Sequence, residues 1–157
     1  DIYKKIMDKT GGKSASECGN HRAGGTSGGA EINLDGELIT AATLLHDIAR
    51  VSGRDHARAG AELAGKLGYP RLSPLIARHM DFMEDGFTAE GPIFIDEAAI
   101  VYLADKMVMG SEVIDISERL RIYTERYSDS KEAEEKIKTR LNTALMIKEK
   151  IDKIIKS

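Results

Sequence analysis

His46 and Asp47 stand side by side after an apolar approach formed by Ala41, Ala42, Leu44 and Leu45. An imidazole beside a carboxylate at the end of a buried helix is costly to leave without a partner. Together they offer one nitrogen and one oxygen to a borderline divalent ion. The chain holds three more histidines, His21, His56 and His79. His56 opens a helical stretch beside Asp55, and His79 closes one that begins at Pro74. Another carboxylate, Asp105, lies within Val101-Tyr-Leu-Ala-Asp-Lys-Met-Val108, where an unpaired charge would be expensive. Taken singly, each of these residues reads as an ordinary cap, core or surface group. Four imidazoles and two carboxylates together exceed the four ligands of a closed structural zinc site. They suit two hard or borderline ions sharing a carboxylate and a water, as in two-metal hydrolytic sites.

The elements that must position these residues read as helices. Asp35 can cap a helix running through Ile39 and Leu44 to Arg50, with Val51-Ser52-Gly53 breaking it. Asp55 can cap a second helix, with Ala59, Leu63 and Leu67 on one face, stopped by Gly68 ahead of Pro70. Pro74 fits the first turn of a third helix, carrying Leu75, Ile76 and His79. Residues 84–92 form a loop, and Asp96 caps a helix over Glu97–Met109. Two more helices follow near Ser117–Tyr127 and Asp129–Ile155, the last with the capping-box spacing of Asp129 and Glu132. Its stripe of Ile137, Leu141, Leu145, Ile151 and Ile155 fits packing onto the bundle or onto a second copy of the chain. A short amphipathic helix over residues 1–9 would bring Ile2, Ile6 and Met7 together. Gly91–Ile95 is the one candidate strand. The class is all-α, with about six to eight helices in a single domain over 1–157. The metal-site core spans about 18–109, and the helices of 117–157 pack on it.

Composition narrows the functions. At 157 residues the chain can bury one proper core. A net charge of -3 leaves no basic excess for general nucleic-acid binding. The single cysteine, Cys18, excludes an internal disulfide framework and fits a reducing cytoplasm. No apolar run is long enough to span a bilayer, and the first residues do not read as a signal peptide. Residues 11–29 hold seven of the 15 glycines and read as a loop, with His21 inside it. Gly12-Lys13-Ser14 is not a phosphate-binding P-loop, because Met7 stands where the first glycine belongs.

The order His21, His46-Asp47, Asp105 resembles the HD-domain superfamily of metal-dependent phosphohydrolases, whose pattern is H…HD…D. The resemblance runs from about Cys18 to Met109. Leu44-Leu-His-Asp-Ile-Ala-Arg50 looks like the family's central helix, and Ile100-Val-Tyr-Leu-Ala-Asp-Lys106 like its closing segment. His56 and His79 match the two added histidines of the dinuclear branch, so every histidine in the chain falls on a family position. That branch includes dinucleoside polyphosphate hydrolases and, in a separate group, diiron oxygenases.

The resemblance implies one divalent ion on His21, His46, Asp47 and Asp105. A second would lie on His56 and His79, with Asp47 as bridge. Fe, Mn, Co, Ni, Mg and Zn all remain open. Arg50, on the His46 face of its helix, can fork onto phosphate oxygens with Lys106 as a second cation, or each can form a simple surface salt bridge; Asp47 and the metals are the implied catalytic centre. The expected function is hydrolysis of a phosphate ester or anhydride of a nucleotide or similar small metabolite. A non-catalytic nucleotide sensor and a diiron oxygenase are the alternatives. His21 departs from the pattern, since glycines rather than an apolar helix follow it. His79-Met-Asp-Phe82 departs as well, where the polyphosphate hydrolases carry small residues and a glycine. Both departures bear on the pocket. Expected partners are a phosphorylated small molecule and a second copy of the chain through a helical surface, without a membrane.

Overall fold

A computed structural model describes residues 34–82 and 94–156 of the chain. Among these are six α-helices: α1 Gly36–Leu45, α2 His56–Lys66, α3 Ser73–Arg78, α4 Glu97–Lys106, α5 Ile116–Arg126 and α6 Lys131–Lys156. A 3-10 helix, Arg50–Asp55, links α1 to α2. Two-residue strands β1 (Val108–Met109) and β2 (Glu112–Val113) pair antiparallel between α4 and α5. The fold is all-α. The expected helix over 1–9, the glycine-rich stretch with His21 and the loop 84–92 lie outside the described residues.

α4 is the hub. Ala98, Ala99, Ile100, Val101, Tyr102 and Leu103 are all buried, so its apolar surface runs nearly all round. It packs against α1, α3 and α6. Asp96 opens it by accepting from the Ala99 N–H at 2.8 Å. Asp35 opens α1 in the same way through Leu38, and its own N–H donates to Glu97 at 3.0 Å. The starts of α1 and α4 are thus tied together. α2 packs on α3, and a Cβ on Gly60 would come within 3.1 Å of the Ile76 side chain, so the glycine permits that approach. α6 packs on α4 and α5, and Leu141, Ala144, Ile147 and Ile151 join the same buried cluster as α1, α3 and α4.

Several boundaries differ from the sequence reading, each for a local reason. α1 ends at Leu45 rather than Arg50, and the expected break at 51–53 is a 3-10 helix kinked at Gly53. Gly53 has φ 64°, a conformation that side chains rarely adopt. Asp55 precedes α2 without a side-chain cap bond; its carboxylate meets Arg58 instead. α4 stops at Lys106, and its expected last turn becomes β1, turned at Gly110. Phe94 and Ile95 form no strand. Ser130, not Asp129, supplies the cap of α6, its hydroxyl accepting from Ala133.

Candidate metal centre

Three histidines lie at helix ends and are oriented alike. His46 follows α1, His79 follows α3, and His56 ends the 3-10 helix and begins α2. Each ring bonds through Nδ1 to the carbonyl three residues earlier. His46 reaches Thr43 at 2.8 Å, His56 reaches Gly53 at 2.7 Å and His79 reaches Ile76 at 2.6 Å. A carbonyl only accepts, so Nδ1 carries the proton and the lone pair sits on Nε2. Such bonds fix tautomer and ring orientation, as they do around metal-ligating histidines.

The three Nε2 atoms converge on Asp47. Its Oδ1 stands 3.1 Å from His56 Nε2 and 3.6 Å from His79 Nε2. Its Oδ2 stands 3.7 Å from His46 Nε2. Asp105, one residue before the end of α4, faces His46 Nε2 through Oδ1 at 3.6 Å. The side chains therefore converge around one carboxylate: its shortest imidazole contacts run from Oδ1 to His56 and His79 and from Oδ2 to His46, and the His46 and His79 rings lie 5.0 Å apart, edge to face.

Burial makes this arrangement demanding. His56 is 3% exposed and His79 1%, yet their Nε2 atoms face each other at 3.1 Å with both Nδ1 atoms already engaged. Two lone pairs and a carboxylate oxygen converge there, and a cation is the natural occupant. Ligands bound about 2.1 Å from one ion lie roughly 3.0–3.4 Å apart, close to the spacings above. His46, Asp47 and His79 bring one ligand atom each within 4.8 Å of one another. A mixed imidazole and carboxylate set suits a divalent transition ion, so the residues fit the metal.

Charge is tuned by the same neighbours. The Asp105 carboxylate, with the Thr43 carbonyl and Asp47 adding to it, holds His46 above the ordinary imidazole value although burial opposes this. Burial pushes His79 down. Burial also works against the charge on Asp105, but His46 and Lys106 outweigh it and keep the carboxyl far below the usual range.

The expected site residues are placed as follows. His46, Asp47, His56, His79 and Asp105 come together; His21 lies outside the described residues. Arg50 sits at the rim, its side chain 68% exposed, with Nη1 at 3.3 Å from both oxygens of Asp47. Lys106 does not face outward as a phosphate ligand would. It is buried, and its ammonium donates to Asp105 Oδ2 at 2.6 Å and to the His79 carbonyl at 2.9 Å.

Two supports had no signal in the sequence. Arg119 donates to the carbonyls of Asp105, Lys106 and Val108, capping the end of α4. Arg140 forks onto Asp81 at 2.5 and 2.6 Å and so pins the segment after His79. In that segment Phe82 turns inward against Tyr102, with ring centroids 5.4 Å apart.

A family model described as the HD domain matches residues 13–110. No curated protein and no solved structure matches the chain.

Proposed function

The chain belongs to the HD-domain family, and from that premise we propose that it is a metal-dependent phosphohydrolase. Its substrate is a phosphate ester or anhydride of a nucleotide or a similarly small phosphorylated metabolite. The observation that carries this reading is Asp47, whose carboxylate has three imidazole Nε2 atoms within 3.7 Å, His56 and His79 nearest Oδ1 and His46 nearest Oδ2. In this reading His46, Asp47, Asp105 and His21 would hold one ion, and Asp47, His56 and His79 a second. Bound there, the ions would lower the pKa of a water and supply a nucleophile at neutral pH.

The chain's own residues do the rest. The bonds of Thr43, Gly53 and Ile76 to the three rings keep each Nε2 free to ligate. Arg50 is the exposed cation beside Asp47, and its planar fork matches two phosphate oxygens. On binding, it exchanges its long contacts to Asp47 for shorter ones to substrate. Substitution by Gln should then raise KM about 10–100-fold, the size of a lost charge-assisted bond.

The test is a screen of nucleoside phosphates against anaerobically purified protein supplied with Mn²⁺ or Co²⁺. Phosphate release without O₂, lost in Asp47→Asn, supports the proposal. Turnover requiring both iron and O₂ would instead identify a diiron oxygenase. Nucleotide binding without turnover at any metal would identify a sensor domain.

A further inference from the structure

Lys106 is 6% exposed at the end of α4. A buried ammonium is expensive unless its protons are taken up. Here two of them are. Nζ donates to Asp105 Oδ2 at 2.6 Å and to the His79 carbonyl at 2.9 Å, and it lies 4.6 Å from the centre of the Tyr102 ring. Two of the three ammonium protons are thus taken by oxygens, and the buried nitrogen sits beside the Tyr102 ring rather than facing solvent. The two bonded partners come from different helices, Asp105 from α4 and His79 from the end of α3. Asp105 turns its other oxygen, Oδ1, toward His46. His79 turns its ring toward Asp47 Oδ1 and His56.

We propose that Lys106 is a positioning residue that aligns two ligand-bearing helix ends of the metal centre, those of Asp105 and His79. Its bond to Oδ2 leaves Oδ1 as the ligating oxygen of Asp105, and its bond to the His79 carbonyl ties the end of α4 to the end of α3. This rests on the metal-centre reading given under Proposed function. The sign of one effect separates positioning from charge alone. A fixed cation repels a metal ion, so deleting it would tighten metal binding if charge were all that mattered. If Lys106 holds the ligands in place, deleting it weakens binding.

Mn²⁺ titrations of the full chain, following the EPR signal of the free ion, read that sign. Lys106→Met should weaken binding about 10–100-fold, the size typical of lost support behind a ligand. Lys106→Gln, which keeps an N–H donor without the charge, should recover part of the loss. Equal or tighter binding in a folded Lys106→Met variant overturns the proposal. If that variant does not fold, Lys106→Arg decides, since it keeps the charge and changes the reach. Weaker binding then supports positioning, and unchanged binding overturns it. A wild-type chain that binds no Mn²⁺ overturns the metal-centre reading itself, and this inference with it.

Discussion

At the scale of single residues, Asp47 and the three imidazoles make different predictions. Asp47 contacts all three imidazoles, whereas His79 contacts Asp47 through Oδ1 and His56 through its Nε2. His79→Ala should therefore lower bound metal from about two ions per chain to about one, and Asp47→Ala should abolish binding. Elemental analysis of anaerobically purified variants reads both outcomes; an unchanged ion count in Asp47→Ala would remove the bridge from consideration. The same scale shows what was legible in the sequence. The residue types and their order point to His46, Asp47, His56, His79 and Asp105, because few chemistries use so many ligands near one apolar hub. The direction of Lys106 was not legible. Whether a lysine beside a buried Asp reaches outward or inward depends on the carbonyl of His79, 27 residues away.

At the scale of elements, capping decides where the ligand-bearing helices begin. The Leu38 N–H, with Arg71 beside it, holds the Asp35 carboxyl below its ordinary value against the effect of burial. A depressed folded-state pKa means stability that is full above the unfolded value of 3.8 and lost as pH falls through the folded one. Asp35→Ala should thus cost about 1 kcal/mol at neutral pH, typical of a lost N-cap. The gap to wild type should close on acidification below that value. Urea denaturation at both pH values checks this; a gap that persists in acid would contradict the assignment. The helices themselves were legible from periodicity and from the caps at Asp35 and Asp96. Their ends were less so. The hairpin after α4 forms where Met107 accepts a bond from Ile114 and Arg119 takes up the terminal carbonyls, and neither partner is local in sequence.

At the scale of the whole molecule, α6 adds an ion pair and a hydroxyl bond to its apolar packing on α4. Arg140 grips Asp81, and the Tyr102 hydroxyl donates to the Arg140 carbonyl at 2.8 Å. Arg140→Met should cost about 1–3 kcal/mol, below a fully buried pair because both partners are partly exposed. It should also loosen the His79 segment, read as a lower denaturation midpoint with weaker Mn²⁺ binding. A lower midpoint with unchanged metal affinity would confine the pair to a structural role.

The ring-to-carbonyl bonds at His46, His56 and His79 concern time as well as space. Each closes over only three residues, among the least entropically demanding closures a chain makes. A ring tied to its own turn presents its Nε2 as soon as that turn forms, and only convergence of the turns waits for α3 and α4 to dock.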